Sequence, residues 1–177
     1  MISHFYSPGF LRLRPYMTTD VKGNNRVTWG ASISNITKGV TTVINNPGHQ
    51  YLDGSLVYFQ NIAGMTELNG NTYLITVIDG DNFSIPVDST NFNNYEGLGI
   101  TYLSFNAERQ ARSGTEQNSA DKMTVFIKDI IYTDCSQLDE SDRIQDGSEI
   151  FEIKDIDEKK NIFKEIDHYE ISIVSVK

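Results

Sequence analysis

The chain has 177 residues, of which 38% are hydrophobic and 22% charged, and it carries a net charge of −9. That length and apolar content suit one ordinary packed domain or two small ones, and they exclude a wholly disordered chain. The charge is uneven, because residues 1–34 carry Arg12, Arg14, Lys22 and Arg26 against Asp20, whereas residues 123–177 carry 7 basic and 14 acidic side chains; such an acidic body disfavours free nucleic acid as a partner.

Nine Phe, nine Tyr and abundant Ile, Val, Thr, Gly and Asn favour short strands and tight turns, so the expected fold class is all-β. In chain order, "NNRVTWGASIS" alternates Val27, Trp29, Ala31 and Ile33 against polar residues, the period of a half-buried strand. From Asn35 to Leu103 the text turns rich in Asn, Gly and Thr. It holds "TTVINN", "SLVYFQNI", "NTYLITVID" and "NFSIPV", separated by the turn signals "NNPGH", "LDGS", "ELNG" and "IDGDN". Within it, "GMTELNGNTYLI" reads as a hairpin, with Asn69-Gly70 as a positive-φ pair, Leu68 and Tyr73 as core anchors and Glu67 at the rim.

The stretch "FNAERQARSGTEQNSADK" has no hydrophobic period and is expected to be a long exposed loop, Ala107 to Asp121, bearing Glu108, Arg109 and Arg112. Three strands follow: "KMTVFIKDI" with Met123, Val125 and Ile127, "SEIFEIKDI" with Phe151 and Ile153, and "HYEISIVSV" with Tyr169, Ile171 and Ile173. Asp146-Gly147 marks a hairpin turn, and "DIDEKKNIFKEID" reads as a charged connection with room for one helical turn. The strand ending near Ser34 looks unfinished. Removing residues 35–103 leaves one continuous β domain, so the expected organisation is a discontinuous domain, 1–34 with 104–177, and a second small β-barrel at 35–103 inserted in one of its loops.

Both parts resemble known families. "VTWGASIS", "AERQARSG", "KMTVFIKDI", "SDRIQDGSEIFEIKDI" and "HYEISIVSV" follow the feature order of the head-tail stopper, or head-closure, family of tailed bacteriophages, over roughly residues 25–34 and 104–176. This chain departs from that pattern in lacking the threonine-histidine pair common at the start of the strand after the polar loop. Residues 35–103, with "NNPGHQYLDGSLVYFQNIAGMTELNGNTYLITVIDGDNFSIPV", resemble the small β-barrel inserted in ubiquitin-activating enzymes, the FCCH-type domain also met in phage tail proteins. This second resemblance implies a fold and not ubiquitin chemistry, since function belongs to sites.

Little in the text suggests catalysis. His4, His49 and His168 share no metal-ligand spacing, and Cys135 in "YTDCSQLDE" is read as structural, because a reactive thiol needs a basic, partly exposed setting. Asp79, Asp81 and Asn82 open like a calcium loop without its closing glutamate. There is no phosphate-cradling glycine loop and no nucleophile elbow. The expectation is a non-enzymatic protein with no cofactor and no metal.

The stopper resemblance implies a virion protein of the phage neck, synthesised in the host bacterial cytoplasm. It would form a homo-oligomeric ring, six- or twelve-fold, that closes the DNA-filled head and docks the tail. The implied partners are a portal or portal-adaptor protein, a tail protein and packaged DNA in the channel, with no membrane. Arg12, Arg14 and Arg26 are expected to meet the acidic body of a neighbouring copy, and Glu108, Arg109 and Arg112 to reach the channel or an adjacent ring. The alternative is a tail-associated receptor- or carbohydrate-binding module acting through Tyr58, Phe59, Tyr73, Phe83, Phe92 and Tyr95 of the inserted barrel.

Overall fold

The computed structural model describes residues 7–19, 22–111, 129–161, 163 and 165–176. It is all-β, as expected. The first strands are β1 (Ser7–Leu13), β2 (Pro15–Thr19), β3 (Asn25–Trp29), β4 (Ala31–Ser32), β5 (Asn35–Thr37) and β6 (Thr42–Asn45). Then come β7 (Leu56–Ala63), a 3-10 turn at Thr66–Leu68, β8 (Thr72–Leu74), β9 (Thr76–Val77), β10 (Asn82–Ile85) and the long β11 (Gly97–Ala111). The last are β12 (Asp129–Thr133), β13 (Arg143–Asp146), β14 (Glu149–Lys160) and β15 (Ile166–Ser175). The chain divides into two compact units, a terminal unit of Met1–Arg12 with Phe105–Lys177 and a central unit of Leu13–Ser104.

In the terminal unit the strands run β1-β13-β14-β15-β12-β11, and β1 also pairs with β11, which closes a six-stranded barrel and leaves it no open edge. Alternation along each strand sends Phe105, Ala107, Ile131, Ile144, Phe151, Ile153, Ile171 and Ile173 inward, joined by Phe10 of β1. Phe10 and Phe105 lie with ring centroids 5.9 Å apart. Cys135 packs against this core, in keeping with a structural thiol. Asp146 and Glu149 are register partners, so the β13–β14 hairpin has the two-residue loop Gly147-Ser148, with Gly147 at φ +58°.

Two segments of this unit differ from expectation. Residues Phe105–Ala111 are strand and not loop: Ala107 faces Thr133, Arg109 faces Ile131 and Ala111 faces Asp129. Beyond Phe105 the inward positions are taken by Ala107 and by Arg109, which lies over an aromatic ring, so the usual apolar alternation is absent from the text. The "DIDEKKNIFKEID" stretch is also mostly strand, since β14 runs to Lys160 and β15 starts at Ile166. Asp157 stands opposite Glu170, and Lys159 bridges both carboxylates, relieving a like-charge cross-strand pair. Residues 123–127, the core of the expected "KMTVFIKDI" strand, lie outside the described residues, as does His4.

The central unit contains the sheet β5-β6-β10-β9, the strands β8-β7 on the near half of β11 with β4 on its other edge, and the ribbon β2–β3. Val57, Phe59, Ile44, Met65, Leu68, Ile75, Phe83 and Ile85 are all fully buried. Residues 13–34 group here and not with the barrel, unlike the boundary read from the text. The reason lies in their bonds: the Gly30 amide donates to the Arg14 carbonyl, Arg14 Nη1 to Gln50 Oε1, and the Tyr16 hydroxyl to the His49 carbonyl. The tryptophan strand is also broken. Gly30 takes φ +88° where a Cβ would lie 2.5 Å from Ile100 and Tyr102, and beyond this kink Ala31 and Ile33 are buried while Val27 is 52% exposed.

"GMTELNGNTYLI" is a structural turn of a different type from the one read in the text. Asn69 sits at φ −64°, ψ 139° and Gly70 at φ +77°, the pattern of a type II turn with only the glycine left-handed. The Asn69 side chain accepts from the Ile62 amide at 2.8 Å and donates to the Ile62 carbonyl at 2.9 Å, imitating a strand neighbour. Leu68 is buried, Tyr73 half-buried, and Glu67 at the rim accepts from the backbone and side-chain nitrogens of Asn93.

Candidate functional site

Arg109, expected in a long exposed loop, is the hub of an ion cluster on the barrel of the terminal unit. Its Nε donates to Asp129 at 2.6 Å, and its Nη1 to Glu149 at 2.6 Å and Asp146 at 3.1 Å. The guanidinium carbon lies 4.3 Å from the centre of the Phe151 ring. Burial pulls the proton affinity of the guanidinium down, but hydrogen bonds to Glu149, Asp129 and Asp146 outweigh this and raise it. Asp129 is the buried partner, 3% exposed, and the cluster joins β11, β12 and the β13–β14 turn. A guanidinium shared by three carboxylates is a clamp on neighbouring strands, and its geometry does not present the cation to an outside ligand.

The other residues singled out in the text are scattered. Arg12 is 2% exposed and donates through Nη1 to the Gln137 carbonyl at 2.8 Å within its own unit, so the expected role in touching a neighbouring copy is corrected: a buried side chain does not reach one. Arg14 binds Gln50 in the central unit, and Arg26 is exposed on β3. Glu108 accepts from Gln110 on β11. Arg112 lies outside the described residues. Of the loop opening like a calcium site, Asp79 accepts from the Asp81 amide and the Asn82 side chain, and Asp81 from the Gly48 amide, so these carboxylates organise turns.

His49, read from the text as a turn residue, is a buried polar anchor of the central unit at 1% exposure. Its Nδ1 accepts from the Tyr51 amide at 3.0 Å, and its Nε2 lies 3.2 Å from the Asp79 carbonyl, which places the proton on Nε2. The ring stacks on Tyr51 and meets the edge of Phe83. Desolvation lowers its pKa, against opposing contributions from the Asp79 and Asn82 backbone and the Asp81 and Asp79 charges. Tyr51 continues the network: Thr101 Oγ1 donates to the Ala31 carbonyl and takes hydrogen bonds from the Tyr51 hydroxyl and Asn46 Nδ2. No single residue type in "NPGHQY" announces this; only the return of Asp79 and Thr101 to the same place creates it.

The central unit also carries a shallow apolar recess of about 760 Å³, formed by Ile33, Ile62, Ala63, Leu98 and Ile100, with Asn61 at its polar side. Leu98 is 75% exposed in the left-handed region at φ +60°, between Gly97 and Gly99 at φ +109° and +103°, and Asn61 on β7 is left-handed too. A left-handed leucine costs about 1–2 kcal/mol. The Tyr95 hydroxyl, 2.7 Å from the Leu98 carbonyl, helps hold it. The recess offers mainly apolar contact, with the Ser32 hydroxyl and the Asn61 amide as the polar side chains of its lining.

The protein is all-β, and part of its central unit is similar to a known domain. Residues 36–103 match the family model of the ubiquitin-activating enzyme E1 FCCH domain. Over 86 residues the chain is 37% identical to ubiquitin-like modifier-activating enzyme 1 of Oryctolagus cuniculus and likewise to that of Homo sapiens, covering 46% of this chain and 8% of each relative. It is 42% identical over 71 residues to ubiquitin-like modifier-activating enzyme 6 of Homo sapiens, covering 38% of this chain and 7% of the relative. The chain thus spans less than a tenth of the length of these curated relatives.

Proposed function

We propose that this chain is a non-enzymatic structural protein of a tailed-phage particle. Its copies form a ring in the head-tail connector that helps close the filled head and receives the tail, with portal-side and tail proteins as neighbours. The observation that carries this reading is the independence of the terminal unit: the text with the stopper-like feature order after Ser104 closes into a barrel of its own, stapled through Arg109. "DRIQDGSEIFEI" and "HYEISIVSV" are staves of that barrel. The FCCH-like unit would then be decoration on the ring.

Imaging of particles with this protein tagged tests the reading. Density for the tag at the head-tail junction, and particles lacking the protein that lose DNA and fail to join tails, are the expected results; a tag at the tail tip or absent from particles sinks it.

The rival reading, receptor or glycan binding through the central unit, draws on the apolar recess beside Leu98. Phe59 and Phe83 are committed to the core, which leaves Tyr58, Tyr73, Phe92 and Tyr95 partly accessible for stacking. A glycan array probed with the whole protein decides it, since silence there removes the carbohydrate version.

A further inference from the structure

The ribbon β2–β3 pairs Met17 with Val27 directly across its strands, so both side chains stand on one face, with Pro15 and Trp29 next along it. Met17 is 69% exposed and Val27 52%. A two-stranded ribbon is marginal in water, and an apolar cross-strand pair left open on one is a surface suited to being covered. Around it the charge is positive. Residues 14–26 carry Arg14, Lys22 and Arg26 against Asp20, a net of +2.

The hairpin β14–β15 supplies a matching shape of opposite sign. Strand β13 pairs β14 only over Glu149–Glu152, and β12 pairs β15 only over Tyr169–Ile173. From Lys159 and His168 outward, the two strands therefore have only each other among the described residues, and they form an arm. Its end exposes Phe163 at 75% and Ile166 at 48%, and Glu165 and Asp167 beside them are exposed too. Residues 155–170 hold six carboxylates against three lysines, a net of −3.

We propose that the β2–β3 ribbon of one copy docks on the β14–β15 arm of a second copy of this chain. Both halves of the complementary pair, apolar with basic flanks and apolar with acidic flanks, are present on every copy. Like surfaces repel, so ribbon meets arm and the contact is head-to-tail. This inference rests on the ring reading for its purpose, since head-to-tail contacts that close on themselves make rings.

Charge reversal on the full-length protein tests it. The ribbon variant carries Lys22→Glu and Arg26→Glu, the arm variant Glu165→Lys and Asp167→Lys, and a third carries all four. Circular dichroism checks that each is folded, and sedimentation velocity reads self-association. The wild-type protein is expected to associate more weakly as salt rises. Each single-surface variant should lose association at least about tenfold. The fourfold variant should regain it, and so should an equimolar mixture of the ribbon and arm variants, in which acidic ribbons meet basic arms of different molecules.

Recovery in the mixture is the reading that neither a folding defect nor a contact within one chain can produce. Wild-type protein that stays monomeric at low salt overturns the proposal, as does association indifferent to either reversal, and as does failure of both the fourfold variant and the mixture to recover. Association that persists through all variants would mean copies meet elsewhere. That leaves the neck reading to its own test, the position of the protein in particles.

Discussion

Acidifying the protein from about pH 7.5 to about 5.5 is expected to destabilise the central unit through His49 by up to about 1.4 kcal/mol. Burial among Tyr51, Phe83 and the Asp79 carbonyl lowers the folded-state pKa of His49 below the ordinary histidine value of about 6.5. The folded unit therefore keeps the ring neutral while the unfolded chain takes up a proton. The sign follows: stability is whole above the unfolded pKa and falls as pH drops below it. One proton per molecule gives a limiting slope of about 1.36 kcal/mol per pH unit, and integration over that interval gives the figure quoted.

Glu67, Asp79 and Asp88 respond in a separate window. Glu67, Asp79 and Asp88 are lowered by hydrogen bonds from the Asn93 amide, the Asp81 amide and the Thr90 hydroxyl respectively, so their contributions are lost only below about pH 4.5. Trp29, the one tryptophan, belongs to the central unit, so urea unfolding followed by its emission reads this unit at each pH. His49→Gln removes the titrating ring and should flatten the profile between about pH 7.5 and 5.5. An equal slope in that variant would refute the assignment, because the proton would then be taken up elsewhere.

Arg109→Met should cost about 2–4 kcal/mol in urea unfolding followed by circular dichroism, less than for a wholly buried pair because the side chain is 23% exposed. Adding Asp129→Asn should recover part of that loss, and a cost below about 1 kcal/mol for the single variant would mean the clamp is ornamental. Gly64→Ala places a Cβ 2.0 Å from the Asn94 carbonyl oxygen at φ +79°, so a loss of about 2–5 kcal/mol by thermal melting is expected. Asn69→Ala removes both hydrogen bonds to Ile62 and should cost about 1–3 kcal/mol, while Asn71→Ala, whose bonds are exposed, should cost much less.

Local periodicity determined much of this protein from the text alone. The all-β class, the Asp146-Gly147 turn and the inward Phe151, Ile153, Ile171 and Ile173 rest on side-chain alternation and turn chemistry, which act over a few residues; the likeness of residues 36–103 to the FCCH domain was legible as a resemblance of the residues themselves. What the tertiary structure decided are the positions where partners come from far along the chain. Phe105–Ala111 becomes strand because Ile131 and Thr133 lie beside it, and Arg109 fills an inward position because Phe151 and three carboxylates receive it. Residues 13–34 join the central unit through Gln50, His49 and Ile100, which no local pattern in "VTWGASIS" encodes. Burial of His49 likewise depends on Asp79 and Thr101, 30 and 52 residues downstream, because desolvation is a property of the assembled surroundings and not of the residue.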